Sequence, residues 1–212
     1  VPPLTRERIL RTAVAMADQD GLDAVTLRRI AAELGVHVTS LYNHVPTRDA
    51  VTDGIVETLL EEAGLPADAV GWEEWVRAFF TAMGTLAAAH PGAYAALQRR
   101  PVQGPRAAAS FEVALGAFAD AGLGDLDAYN AVKATALTAL VVGLERSMST
   151  RGPLPATAIE ALPREGFPRF HGLRDLDEPD DPEAAWSFSL ETLVAGLRVQ
   201  VDRLAGAAGP TG

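Results

Sequence analysis

Between Thr26 and Pro46 the chain has room for two short helices and a tight turn, and for little else. Leu27, Ile30, Ala31 and Leu34 recur at the spacing of one helical face. Thr26 in front of them is a good N-cap, because its hydroxyl can accept a backbone N–H of the first turn. Gly35 behind them can take the left-handed conformation that stops a helix. A second helix is predicted from Val38 to about His44, with His37 near its start. Pro46 ends it, since the residue before a proline is pushed out of helical space. Two short helices about a glycine turn, the second polar on its outer face, form a helix-turn-helix. The second helix of such a unit must fit a major groove about 12 Å wide, with one side anchored and the other free to hydrogen-bond. Val36 and Leu41 are the predicted anchors. His37, Thr39, Ser40, Asn43 and His44 are the polar set, with Tyr42 beside them.

The rest of the chain keeps the helical rhythm. Glycine and proline punctuate it, and no segment alternates apolar and polar residues as a half-buried strand would. The predicted fold is all-α, with nine or ten helices at about 5–19, 27–34, 38–44, 48–62, 72–89, 91–98, 105–121, 125–150 and 183–205. Gly64, Pro66 and Gly71 mark a linker. The prolines between Arg151 and Pro182 predict an irregular connector with a short helix near Ala156–Leu162. The expected organisation is a DNA-binding head over 1–47, a connecting helix and linker over 48–70, and a ligand-binding and dimerisation body over 71–212.

Composition narrows the function. With no cysteine among 212 residues, disulfide scaffolds, thiolate metal sites and cysteine nucleophiles are excluded. No apolar run reaches the 18 or so residues of a spanning helix, and the N-terminus lacks the order of a signal peptide, so no membrane partner and a cytoplasmic location are expected. The formal net charge is −10, yet it is unevenly spread: up to Arg48 six arginines meet five acids, whereas the remainder holds twelve basic and twenty-three acidic residues. A near-neutral head on an acidic body permits anion binding at one end only. No nucleophile elbow, phosphate loop or metal-ligand cluster is present, so no enzyme, no cofactor and no metal are expected. The acidic run Asp175, Asp177, Glu178, Asp180 and Asp181 lacks the glycine and terminal glutamate of a calcium loop, and reads as a solvated connector. An all-helical protein-binding adaptor is the alternative to a DNA-binding regulator.

The run Leu22-Asp23-Ala24-Val25-Thr26-Leu27-Arg28-Arg29-Ile30-Ala31-Ala32-Glu33-Leu34-Gly35-Val36, followed by Leu41-Tyr42-Asn43-His44-Val45, resembles the tetracycline-repressor (TetR) family of bacterial regulators. The resemblance covers residues 5–62 almost without a gap. It implies a homodimeric repressor whose heads bind palindromic double-stranded operator DNA and whose body binds a small-molecule effector. Carried over by position, Thr26 is expected to cap its helix and touch phosphate, and Arg28 to reach groove or phosphate. His37, Val38, Thr39, Ser40 and Asn43 face the groove, Val38 suiting a thymine methyl. Tyr42 and His44 resemble the family's backbone-contacting pair. Arg48 falls where the family usually has a lysine, at a helix N-terminus suited to phosphate. Arg6 or Arg8 along a phosphate strand is a lesser candidate.

In the body, Trp186, Leu190, Leu193, Val194, Leu197 and Val201 form one stripe on a final helix about 35 Å long. With Leu140 and Leu144 of the preceding long helix they are the predicted dimer interface, a four-helix bundle across a two-fold axis. The competing reading makes both stripes core of a single protomer. Trp72, His90-Pro91-Gly92, Arg100-Pro101, Ala121-Gly122-Leu123, Gly166-Phe167-Pro168 and the last helix resemble the tetracycline repressor branch itself. The pocket departs from that branch: Phe79, Met83, Phe111, Ala114, Leu115, Phe118, Leu137 and Val141 replace its histidines and polar groups. A mostly apolar effector, aromatic or anionic, is expected, with Arg99 or Arg100 as counter-charge, rather than a magnesium chelate.

Overall fold

The computed structural model describes residues 3–100, 104–147, 160–172 and 182–207. All regular structure among them is helical: α1 (Arg6–Asp20), α2 (Leu27–Leu34), α3 (Val38–Leu41), α4 (Arg48–Glu62), α5 (Trp72–Ala89), α6 (Ala96–Arg99), α7 (Pro105–Asp120), α8 (Asp125–Ser147), α9 (Pro168–Gly172) and α10 (Pro182–Ala207), with 3-10 turns at Leu22–Ala24 and Ala93–Ala95. None is long and apolar enough to cross a membrane. The acidic run and most of the short helix expected near Ala156–Leu162 lie outside the described residues.

Local chemistry explains the boundaries in the head. The hydroxyls of Thr5, Thr26 and Thr47 accept from the backbone N–H of Arg8, Arg29 and Ala50, so one device opens α1, α2 and α4. Gly35, at φ +66°, closes α2 with Gly35 N donating to Ala32 O and Val36 N to Ala31 O, the paired bonds of a Schellman stop. The recognition helix is shorter than predicted. His44 N and Val45 N both bond to Leu41 O, so the ladder tightens into a turn after Leu41 instead of running on to His44.

Burial then assembles the head. Ile9, Leu10 and Ala13 of α1 meet Ile30 and Ala31 of α2 and Leu41 of α3 in the core. Burying side chains the size of Ile30 or Leu41 contributes about 1.5–3 kcal/mol each, which is what lets a four-residue helix hold its place. α4 crosses α1 at Gly54, where a methyl would lie 2.3 Å from Leu10 Cδ2.

In the body α5 packs against α7, α8 and α10. Two glycines make room for aromatic neighbours: a methyl at Gly84 would meet the Trp186 ring at 2.7 Å, and one at Gly143 would meet the Tyr94 hydroxyl at 2.3 Å. Tyr94 donates to Ala139 O at 3.3 Å, and burial raises its phenol well above the ordinary value. The segment expected as one helix over 91–98 is instead a 3-10 turn leading into the single turn of α6. The residues between α5 and α6 bind tightly to the head, which imposes the irregularity. Asp18 Oδ1 of α1 accepts from Gly92 N at 3.1 Å and Ala93 N at 2.9 Å. A Cβ at Gly92 would lie 1.9 Å from Ala17 O, so only glycine fits this joint.

Candidate nucleic-acid interface

With its apolar side fixed on α1 and α2, α3 turns the remaining side chains outward. Thr26, Arg28, His37, Thr39, Tyr42, Asn43 and Arg48 are exposed, and Val38, Ser40 and His44 are half-buried. Among the described residues Arg28, His37, Thr39, Ser40, Tyr42, Asn43 and His44 have no side-chain hydrogen bond or ion pair, so their donors and acceptors stay available. Arg29, next to Arg28, is committed: it pairs with Asp20 and donates to Ala24 O. Arg6 is committed too, to Glu57 Oε2 at 2.7 Å. The structure therefore separates cations that hold the head together from those it leaves for a partner.

Arg48 opens α4, where the first N–H groups carry the positive end of the helix dipole. Its Nη2 lies 3.6 Å from Asp23 Oδ1 and donates to Asp23 O at 3.4 Å. Asp23 also accepts from Arg99 Nη1 at 2.9 Å. The hydrogen bond and charge of Arg99, and then the charge of Arg48, hold the Asp23 carboxyl below its ordinary range.

The body brings together only part of the expected pocket. Phe79 and Phe111 lie 5.9 Å apart between ring centroids, both beside Trp75, whose indole donates to Ser110 Oγ at 3.1 Å. Phe118 stacks on Trp72 at 5.4 Å. Phe79, Met83, Ala114 and Phe118 are buried, and Phe111 and Leu115 are half-buried. Three expectations need correction. Arg100 is not in this cluster: it pairs with Asp49 at 2.8 Å and Asp53 at 3.1 Å on α4. Leu137 and Val141 are 52% and 57% exposed on the outside of α8. In the expected dimer stripe, Trp186, Val194, Leu197 and Val201 are buried within the protomer, and Leu140, Leu144, Leu190 and Leu193 are partly buried against its core. Among the described residues, the large apolar groups that α8 and α10 leave uncovered are Leu126, Tyr129, Leu137, Val141, Phe188 and Val199.

Two features escaped sequence reasoning. The Trp75–Ser110 pair is the buried polar contact between α5 and α7, and the one available hint was a tryptophan one turn before Phe79. His90 faces Asp18 at 2.8 Å and Glu62 at 3.0 Å, contacts spanning 72 and 28 residues that no local motif signals.

A short recognition helix anchored by buried Leu41, with an outward, uncommitted polar face and carried on a helical body with an aromatic interior, defines a ligand-responsive transcriptional regulator. The profile of "Bacterial regulatory proteins, tetR family" matches residues 9–53. An HTH-type transcriptional regulator of Saccharopolyspora erythraea is 32% identical over 204 residues, covering 92% of this chain and 85% of that one. The class D tetracycline repressor of Escherichia coli is 28% identical over 209 residues, covering 95% and 92%. The solved structure of Streptomyces coelicolor ActR, a TetR family protein, in complex with actinorhodin superposes with a TM-score of 0.78 at 28% identity, covering 94% and 99%. The chain belongs to the TetR family of bacterial transcriptional regulators.

Proposed function

We propose that this chain is a repressor, acting in the cytoplasm and not as an enzyme, that binds a palindromic operator as a homodimer and releases it when a mostly apolar small molecule enters the body. One observation carries the reading: among the described residues the side chains of His37, Thr39, Ser40, Asn43 and His44 are unpaired, on and beside α3, whose other side is anchored by fully buried Leu41. Residues 1–47 serve as the DNA-binding unit, 48–70 connect, and 71–212 bind ligand and dimerise. Thr26, Tyr42, His44 and Arg48 grip phosphate, while Arg28, His37, Val38, Thr39, Ser40 and Asn43 meet the groove.

The dimer uses the outer faces of α8 and α10, with Leu137, Val141, Phe188 and Val199 at its centre and Leu140, Leu144, Leu190 and Leu193 at its edges. A two-fold axis there gives two heads, as half-sites about 34–36 Å apart require. The effector lies among Phe79, Met83, Phe111, Ala114, Leu115 and Phe118. ActR was solved with actinorhodin bound, which supports a polycyclic aromatic effector. No group of three or more potential metal ligands occurs among the described residues.

Anisotropy titration tests the DNA claim, using duplexes from upstream of the protein's own gene and from the wider genome. Operator binding tighter than binding to a scrambled duplex by about a thousandfold or more is expected. A ratio near one for every fragment contradicts it. A thermal-shift screen tests the effector class: polycyclic aromatics are expected to raise the melting temperature. Stabilisation by magnesium–tetracycline and never by metal-free aromatics refutes the apolar pocket.

A further inference from the structure

Three carboxylates gather about the N-terminal part of α4: Asp23 of the head, and Asp49 and Asp53 of α4 itself. Against them the head and α4 supply Arg48. Taken alone, this corner carries two net negative charges, a poor place for DNA phosphate. The missing charge comes from the body. Arg99 Nη1 lies 2.9 Å from Asp23 Oδ1, the same oxygen that Arg48 Nη2 reaches at 3.6 Å. The next residue, Arg100, lies 2.8 Å from Asp49 and 3.1 Å from Asp53. Two adjacent arginines of one body segment bring the corner to neutrality.

We propose that Arg99 and Arg100 are positioning residues for DNA binding: by neutralising Asp23, Asp49 and Asp53 they free Arg48 for a DNA phosphate. The proposal rests on Arg48 being a phosphate contact, as read above. Asp23 is the competitor. Its side chain is 81% exposed, so it binds whichever cation is nearest and most favourably aimed. With Arg99 in place the carboxylate is occupied, and Arg48 keeps only the longer contact. With Arg99 withdrawn, Asp23 holds Arg48 and sets an uncompensated charge beside the backbone. Exposed ion pairs of this kind contribute little to stability, so exchanging partners costs little.

The segment is well placed for regulation. α6 follows α5 through the His90–Gly92 turn, and α5 carries Phe79 and Met83 of the aromatic cluster. A body rearrangement that lifts α6 moves both arginines off their acids together and makes the head more acidic without changing any groove-facing side chain. Charge then couples the body to operator affinity.

The test is a mutant cycle read by operator anisotropy at low and moderate salt, with thermal melts to confirm folding. Arg99→Gln is expected to weaken operator binding about tenfold, within the usual range of coupling between sites. Arg99→Lys, which keeps the charge, is expected to retain most of the affinity. Asp23→Asn is expected to bind as well as the parent or better, and Arg99→Gln added to it to cause no further loss. Arg48→Gln is expected to weaken binding in every background and to reduce the salt slope by about one. If Arg48→Gln changes neither affinity nor slope, the phosphate reading of Arg48 fails and the proposal with it. If Arg48→Gln acts as expected but Arg99→Gln is harmless, or is equally harmful beside Asp23→Asn, the competition is refuted while the DNA-binding reading stands.

Discussion

α3 and α5 treat their side chains in opposite ways. Of the residues of α3, Leu41 alone is buried, and the rest of the recognition segment offers unpaired polar groups to solvent. α5 buries nine residues, among them Trp75, Phe79, Phe80 and Met83, and two of its outer charges are spent on α10, where Arg77 pairs with Glu191 and Glu73 with Arg198. The head is a surface held up by a minimal core. The body is an interior held shut by its surface. A ligand that reads the head needs only to approach, whereas a ligand that reads the body must displace packing.

Substitutions sharpen this contrast. The largest effect is expected inside α5. Trp75→Ala deletes a fully buried indole and strands the Ser110 hydroxyl, which costs about 3–5 kcal/mol of folding stability. Thermal melts read it, and a loss under 1 kcal/mol would mean that the cluster is loosely filled. Next is the outer face of the body. Phe188→Glu, at a side chain 75% exposed in the protomer, is expected to leave the fold intact and yield monomers in sedimentation. Operator affinity falls with it by about a hundredfold or more, because two linked heads become one. Persistent dimers would assign the two-fold axis elsewhere.

In the head, Asn43→Ala is expected to leave stability within about 0.5 kcal/mol. The same change weakens operator binding by about 1–3 kcal/mol, the worth of one base contact. Loss of stability instead would make Asn43 a structural residue. The smallest effect is a pH dependence. Burial raises the Tyr94 pKa in the folded chain above its unfolded value near 10, so the folded state holds this proton more tightly. Its contribution is complete below that value and is lost as the pH climbs toward the raised one. Tyr94→Phe is expected to cost about 1 kcal/mol near neutrality, from the lost bond to Ala139 O, and to flatten the alkaline limb of the stability curve. An unchanged alkaline limb would contradict the burial argument.

The same contrast decides what was legible beforehand. The ends of α4 and α5 follow from Thr47, Gly71 and the helical spacing between them, because capping is local chemistry. The candidate DNA-binding residues were readable for the same reason, since fixing the glycine turn fixes which side chains of α3 face out. The body was less legible because α10 is apolar on two faces. One carries Trp186, Val194, Leu197 and Val201, the other Phe188 and Val199, and spacing cannot say which turns inward. That choice is settled by Gly84 on α5, whose missing side chain makes room for the Trp186 ring. The place of Arg100 was not legible because its partners Asp49 and Asp53 lie on a helix about fifty residues earlier, a pairing that no local spacing signals.

An outward, uncommitted head is expected to grip phosphate in pairs. The most direct measurement is operator affinity against salt concentration, with the number of subunits bound determined in the same titration. Two subunits per palindrome, with log affinity falling steeply and linearly against log salt, is the predicted result. Affinity that is insensitive to salt, or one subunit saturating the palindrome, would contradict it.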